Sequence, residues 1–138
     1  MIEIKNLTKK FNKFTALNQV NIRFNDGHSV ALIGPNGCGK TTLIKCILGL
    51  NVVEDGDILV NNESVKEHYL YRKNIGYMPQ IGRYPENMTI AQTIQMIKDT
   101  RKVSENELDT ELLEAFERKS IFDNKMRTLS GGTTQKVS

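Results

Sequence analysis

The sequence predicts an α/β fold, and three features predict it. Val30-Ala31-Leu32-Ile33 is an unbroken apolar run whose length fits a buried central strand, of the kind found in parallel sheets. A glycine-rich loop, Gly34 to Gly39, follows it directly. From Lys40 the apolar spacing becomes helical, with Leu43, Ile44, Ile47 and Leu48 on one face.

The remaining elements follow in chain order. Ile2 and Ile4 alternate with polar neighbours, as do Val20, Ile22 and Phe24, and each set predicts a half-buried strand. Asn25-Asp26-Gly27 turns the chain after the second. Gly49 is placed to end the helix that begins at Lys40. Ile58-Leu59-Val60 and Ile75-Gly76-Tyr77-Met78 predict further strands. The second half is helical. Thr89 is placed to cap a helix with Ile90, Ile94 and Ile97 on its apolar face. Ser104 and Glu107 form a capping box ahead of Leu108, Leu112 and Phe116. Ser130, before Gly131 and Gly132, is a further helix start.

Composition narrows the function classes. Of 138 residues, 38% are hydrophobic and 25% charged, which excludes a disordered tail and a membrane protein. The run Val30–Ile33 is far short of the roughly 20 apolar residues that a spanning helix needs. The N-terminus reads as a strand and lacks the layout of a signal peptide. Two cysteines, Cys38 and Cys46, make neither a disulfide framework nor a zinc site, and they fit a reducing compartment. The net charge of +3 is uneven, because residues 1–50 carry seven basic and two acidic side chains. That surplus surrounds the glycine cluster and suits a phosphate ligand. No basic stripe with interleaved aromatics is visible, so no nucleic-acid partner is expected.

The loop carries the chemistry. Gly34-Pro35-Asn36-Gly37-Cys38-Gly39-Lys40-Thr41 fits G-x-x-x-x-G-K-[ST] without departure, between an expected strand and an expected helix. Glycines let the backbone curl so that successive N–H groups face phosphate oxygens. The helix start adds free N–H groups and the positive end of its dipole. Lys40 is placed to reach the β and γ phosphates, and the Thr41 hydroxyl to ligate Mg²⁺. Cys38 occupies a free position of the loop and reads as a spacer.

A second set of motifs says which kind of nucleotide protein this is. Leu7-Thr8-Lys9-Lys10-Phe11, the loop at 34–42, Gly76-Tyr77-Met78-Pro79-Gln80 and Leu129-Ser130-Gly131-Gly132-Thr133 occur in this order, with Ser130 lying 90 residues after Lys40. Together they resemble the nucleotide-binding domain of the ABC ATPase family. The resemblance implies a P-loop NTPase fold with an N-terminal antiparallel β-region and a helical subdomain. It implies a nucleotide-binding core over 1–88 and a helical subdomain over 89–138 that ends in the signature motif. It implies ATP and Mg²⁺ as ligands, with Phe11 stacking on adenine where the family usually has tyrosine. Gly34 to Thr42 would hold the phosphates. Thr41 and Gln80 would ligate Mg²⁺, and Gln80 would also touch the attacking water. Lys40 and Gln80 are thus the residues nearest the chemistry. Ser130, Gly131 and Gly132 would close on the γ-phosphate of a second ABC ATPase domain in a head-to-tail dimer. Thr133 departs from the family's usual glutamine, outside the Ser-Gly-Gly contacts.

The resemblance further implies an ATP-binding subunit of a transporter, on the cytoplasmic inner face of the membrane and bound to a membrane-spanning permease. The alternative within the family is a soluble ATPase acting in translation or DNA repair. The compact spacing of loop and signature favours transport. Tyr71 to Ile90 has a weaker resemblance to ATPases of copper export or nitrous-oxide-reductase maturation. Met78, Met88 and Met96 lack metal-site spacing and read as core filling. The family continues past the signature with an apolar strand ending in Asp-Glu and a later histidine. No such segment occurs here, and His28 and His68 read as surface residues. The expectation is a truncated domain that lacks the C-terminal part of its sheet, exposes apolar surface, binds ATP and turns it over negligibly.

Overall fold

The alternating segments at the N-terminus form a hairpin of two long strands, β1 (Ile2–Phe11) and β2 (Phe14–Phe24). The computed structural model describes residues 1–80, 83–102 and 122–129. The chain divides into two units, Met1–Ile75 and Gly76–Ser138.

In the first unit, β3 (Asp55–Val60) lies on the other side of β1, and a short β4 (Glu63–Ser64) follows. The sheet order is β2-β1-β3-β4, and every pairing is antiparallel. Asn12 and Lys13 form the hairpin turn, with Asn12 at φ 52, a conformation that asparagine tolerates. The register slips between Ile4 and Leu7, where Asn6 takes positive φ, and again between Leu7 and Lys9, where Gln19 of β2 does so. The Asn21 side chain closes the first bulge by accepting from the Asn6 N–H at 2.9 Å. The N-terminal ammonium pairs with Asp26 beyond the end of β2.

The core lies between this sheet and α1 (Lys40–Ile47). Ile4, Leu7, Leu17 and Ile58 from the strands meet Leu43 and Cys46 of the helix, with Ile2, Val20, Ile22, Phe24, Ile47, Val53 and Val65 packed around them. The buried face of α1 is therefore Leu43 and Cys46, three residues apart. Ile44 is exposed, against the expectation from spacing. The helix ends in a Schellman turn at Gly49, whose N–H donates to the Cys46 carbonyl while that of Leu50 donates to Lys45. A 3₁₀ turn, Leu70–Asn74, buries Tyr71 and sends the Arg72 guanidinium to the Gly49 carbonyl at 3.1 Å.

Two expected strands are absent. Val30–Ile33 and Ile75–Met78 both lie outside every strand. Val30, Leu32 and Ile33 are exposed, Ile33 to 89%. The apolar run states a demand for neighbours, and among the described residues no strand pairs with it. Without a partner for its N–H and C=O groups, an extended run gains nothing from regular strand geometry. The described sheet is accordingly antiparallel throughout, and the parallel pairing that this run suggests is not found in it.

In the second unit, α2 (Ile90–Arg101) starts where Thr89 predicts. The cap is a full box. Thr89 Oγ1 accepts from the Gln92 N–H at 3.2 Å, and Gln92 Oε1 accepts from the Thr89 N–H at 2.9 Å. Ile90 is buried against Met126, with Tyr84, Ile94, Phe122 and Leu129 alongside. Thr93 is buried as well, its hydroxyl donating to the Thr89 carbonyl at 2.9 Å. Core filling by methionine belongs to Met126, in a second 3₁₀ turn (Met126–Thr128), whereas Met78 and Met96 are exposed. The helix expected from Ser104, with Glu107, Leu108, Leu112 and Phe116, and the signature residues Ser130, Gly131 and Gly132 lie outside the described residues.

Candidate functional site

The first unit brings the glycine-rich loop and the end of the β1–β2 hairpin together through β2. Gly39 is the N-cap residue of α1, at φ 97 and ψ 2. A Cβ at this position would stand 2.7 Å from the Ala16 carbonyl oxygen and 2.9 Å from Leu17 Cδ2. Glycine is therefore needed twice, for its backbone angle and for the close approach of β2. Leu17 pairs with Lys9 across the hairpin, and Phe14 with Phe11. The start of α1 thus rests on β2, at the stretch paired with the β1 segment that leads into Phe11.

Within the loop, the Cys38 N–H bonds the Pro35 carbonyl at 3.4 Å, and the Leu43 N–H bonds the Gly39 carbonyl at 2.8 Å as the first helical bond. The Lys40 ammonium turns back over the loop. Its Nζ donates to the carbonyls of Gly34 at 2.6 Å and Pro35 at 2.7 Å, and meets Cys38 Sγ at 3.6 Å. An ammonium has three donors. Two are fixed by strong acceptors, and the third rests on a weak one that an anionic oxygen can replace.

The helix start has the same character. Gly39 supplies no side-chain cap, and no acidic residue stands in the first turn of α1. The first N–H groups and the positive helix end are not answered by any carboxylate of their own helix. Thr41 is exposed in this turn and Thr42 half-buried. The donor set, amides plus one fixed ammonium, fits a phosphate group. The Thr41 hydroxyl is a hard oxygen ligand of the kind Mg²⁺ takes beside a phosphate. Gly34, Pro35, Asn36, Gly37 and Cys38 are all exposed, so the loop is open to a ligand.

Phe11 closes β1 with its ring 45% exposed. Lys9, two residues earlier and so on the same strand face, places Nζ over that ring at 4.9 Å from the centroid. Lys9 is itself buried and paired with Glu54, Nζ to Oε1 at 2.6 Å. The second Glu54 oxygen accepts the Lys10 backbone N–H at 3.0 Å. Lysine donation and this backbone N–H hold the Glu54 carboxyl below its ordinary range. Cys46 lies in the same region, and burial pushes its thiol up. Lys9 and Glu54 were not singled out from the sequence, because 45 residues separate them. The Lys9-x-Phe11 spacing was the available signal.

Gln80 is exposed and belongs to the second unit. Among the described residues, no group of three or more His, Cys, Asp or Glu could hold a metal ion. His28 is exposed, with Nδ1 2.9 Å from the Asp26 carbonyl. His68 is half-buried rather than fully on the surface, and its Nε2 lies 3.0 Å from Glu63. No described helix is long and apolar enough to cross a membrane.

Known proteins resemble this chain along most of its length. A family model described as ABC transporter matches residues 17–138. The sulfate/thiosulfate import ATP-binding protein CysA of Pseudomonas putida is 34% identical over 144 residues, which is 99% of this chain and 44% of that protein. CysA of Synechocystis is also 34% identical, over 99% of this chain and 39% of its own length. The chain thus spans less than half the length of these relatives. Among solved structures, an ATP-binding subunit of an ABC transporter superposes with a TM-score of 0.89 at 29% identity, covering 99% of this chain and 59% of that one. The dimeric bacterial ABC transporter cassette MJ0796 superposes with a TM-score of 0.82 at 25% identity, covering 99% and 66%.

Proposed function

The chain belongs to the ABC transporter family, and from that premise we propose that it is the ATP-binding part of a transporter subunit, which couples ATP binding and hydrolysis to movement of a substrate by a membrane-spanning permease. The observation that carries this reading is the Lys40 ammonium, anchored on the Gly34 and Pro35 carbonyls ahead of an uncapped helix start.

In this reading, amides of Gly34 to Thr42 hold the phosphates and Lys40 gives its third donor to a β or γ oxygen. Mg²⁺, when bound, neutralises charge on the phosphate oxygens, and Thr41 and Gln80 are the side chains that would hold it. Gln80 also orients the attacking water. Phe11 offers its ring to the adenine. Ser130, Gly131 and Gly132 serve the γ-phosphate of a second ATPase domain, so the working form is a head-to-tail pair. The subunit sits on the cytoplasmic face of the membrane, against the permease. Within these 138 residues no apolar run leads into an Asp-Glu pair, and the 138-residue chain by itself is expected to hold ATP with negligible turnover. The two CysA relatives are named as sulfate/thiosulfate import ATP-binding proteins. In this reading the site serves the nucleotide and carries no choice of transported substrate.

Titration of ATP–Mg²⁺ against the 138-residue chain and its Lys40→Ala variant tests the reading. Loss of a charge-assisted donor should weaken binding by about 1.5–3 kcal/mol, roughly tenfold to a hundredfold. Equal affinity in the two proteins refutes it.

A further inference from the structure

The end of β1 outruns its neighbour. β3 pairs with β1 no further than Thr8 opposite Asp55, so Lys9, Lys10 and Phe11 continue without a strand on that side. Glu54, the residue just before β3, fills the gap with its side chain. One oxygen takes the Lys10 N–H that a strand carbonyl would have taken, and the other takes the Lys9 ammonium. Lys9 is buried and thereby fixed, and its ammonium covers one face of the Phe11 ring. Phe11 as a whole remains 45% exposed, with Phe14 opposite it across the hairpin.

We propose that Lys9 and Glu54 are positioning residues for the nucleotide base: the Glu54–Lys9 pair clamps one face of Phe11 so that the opposite face is a pre-set platform for a purine ring. This rests on the reading of Phe11 as the base-stacking residue. An exposed phenylalanine at a hairpin end samples several rotamers, and stacking must then order it. A cation held against one face orders it beforehand through attraction to the ring. Because Glu54 neutralises Lys9 at 2.6 Å, the pair adds little long-range charge at the phosphate loop. Its effect therefore belongs to the base and not to the phosphates.

The test compares binding of ATP and of inorganic triphosphate, both with Mg²⁺, by calorimetry on the 138-residue chain and on Phe11→Ala, Lys9→Met, Lys9→Arg and Glu54→Gln. Phe11→Ala should weaken ATP about tenfold, from the loss of one stacking contact, and leave triphosphate unchanged. Lys9→Met keeps the stem and removes the cation, and should weaken ATP about threefold to fivefold more than it weakens triphosphate, which feels only the uncompensated Glu54 charge. Lys9→Arg should restore ATP binding, and Glu54→Gln should weaken ATP in the same selective way as Lys9→Met. If Lys9→Met weakens both ligands equally, its role is only structural and the proposal is overturned. If Phe11→Ala weakens ATP but Lys9→Met and Glu54→Gln do not, the proposal fails while Phe11 keeps its role. Unchanged ATP binding in Phe11→Ala overturns the base-stacking reading and the proposal together.

Discussion

Gly39→Ala is the substitution whose cost the structure sets most directly. Two contributions add. The backbone at φ 97 is one that L-residues avoid, at a cost of about 1–2 kcal/mol. The added methyl would stand 2.7 Å from the Ala16 carbonyl oxygen, on the backbone of β2 rather than on a side chain that could swing away. Comfortable contact begins near ~3.5 Å, so helix start and strand must part by about 0.8 Å. Overpacking of this kind costs about 1–3 kcal/mol. The sum is about 2–5 kcal/mol, against a total stability of about 5–15 kcal/mol for a domain.

Gly37→Ala is the control. Gly37 also has positive φ, at 83, but a Cβ there would meet nothing within 4 Å. Only the backbone contribution applies, about 1–2 kcal/mol. At about 4 °C per kcal/mol for a chain of this length, Gly37→Ala should lower Tm by about 4–8 °C and Gly39→Ala by about 8–20 °C. Thermal unfolding followed by circular dichroism, without nucleotide, reads both. Equal shifts in the two variants would refute the claim that α1 begins in backbone contact with β2.

The other expectations concern single groups. Glu54 has a folded pKa below its ordinary 4.5, so the unfolded chain binds the proton first. Its stabilising contribution is complete above about 4.5 and is lost as pH falls through the lower folded value; Glu54→Gln should flatten the acid limb of an unfolding-versus-pH curve. Thr89→Ala removes the cap on the Gln92 N–H and should cost α2 about 0.5–2 kcal/mol, read as lost helicity. Of the two thiols, Cys38 is exposed and Cys46 buried with its pKa raised, so a thiol reagent should label one site rapidly and the second only in denaturant. Ile58→Ala, at a fully buried position, should cost about 2–5 kcal/mol, whereas Ile33→Thr at an exposed one should stay within about 0.5 kcal/mol in the 138-residue chain.

What the sequence disclosed follows the range of the interaction that each pattern encodes. The hairpin strands, the helix from Lys40 and the Thr89 cap are all read from residues a few positions apart, and all three are present. Alternation at Ile2 and Ile4 needs only one buried face to express itself, and β2 and α1 supply it. The run Val30–Ile33 is different. Four apolar residues in a row are satisfied only by cover on both faces, which spacing can request and cannot provide. The helix face departs from its spacing at one position: Leu43 and Ile47 meet the core as expected, and Cys46 is buried where Ile44 is exposed.

The site shows the same division on a smaller scale. The loop was legible because its function is carried by backbone: glycine angles and a helix start are local, and Lys40 reaches carbonyls only five and six residues back. The aromatic platform is another matter. Phe11 alone is an exposed ring, and its definition comes from Lys9 and then from Glu54, 45 residues further along the chain. That carboxylate is positioned by the point at which β3 begins, which no local pattern states. In the proposed reading, the phosphate end is written in one short segment, while the base end is assembled across the sheet. Removing the Glu54 carboxylate should therefore weaken ATP before it touches affinity for inorganic triphosphate.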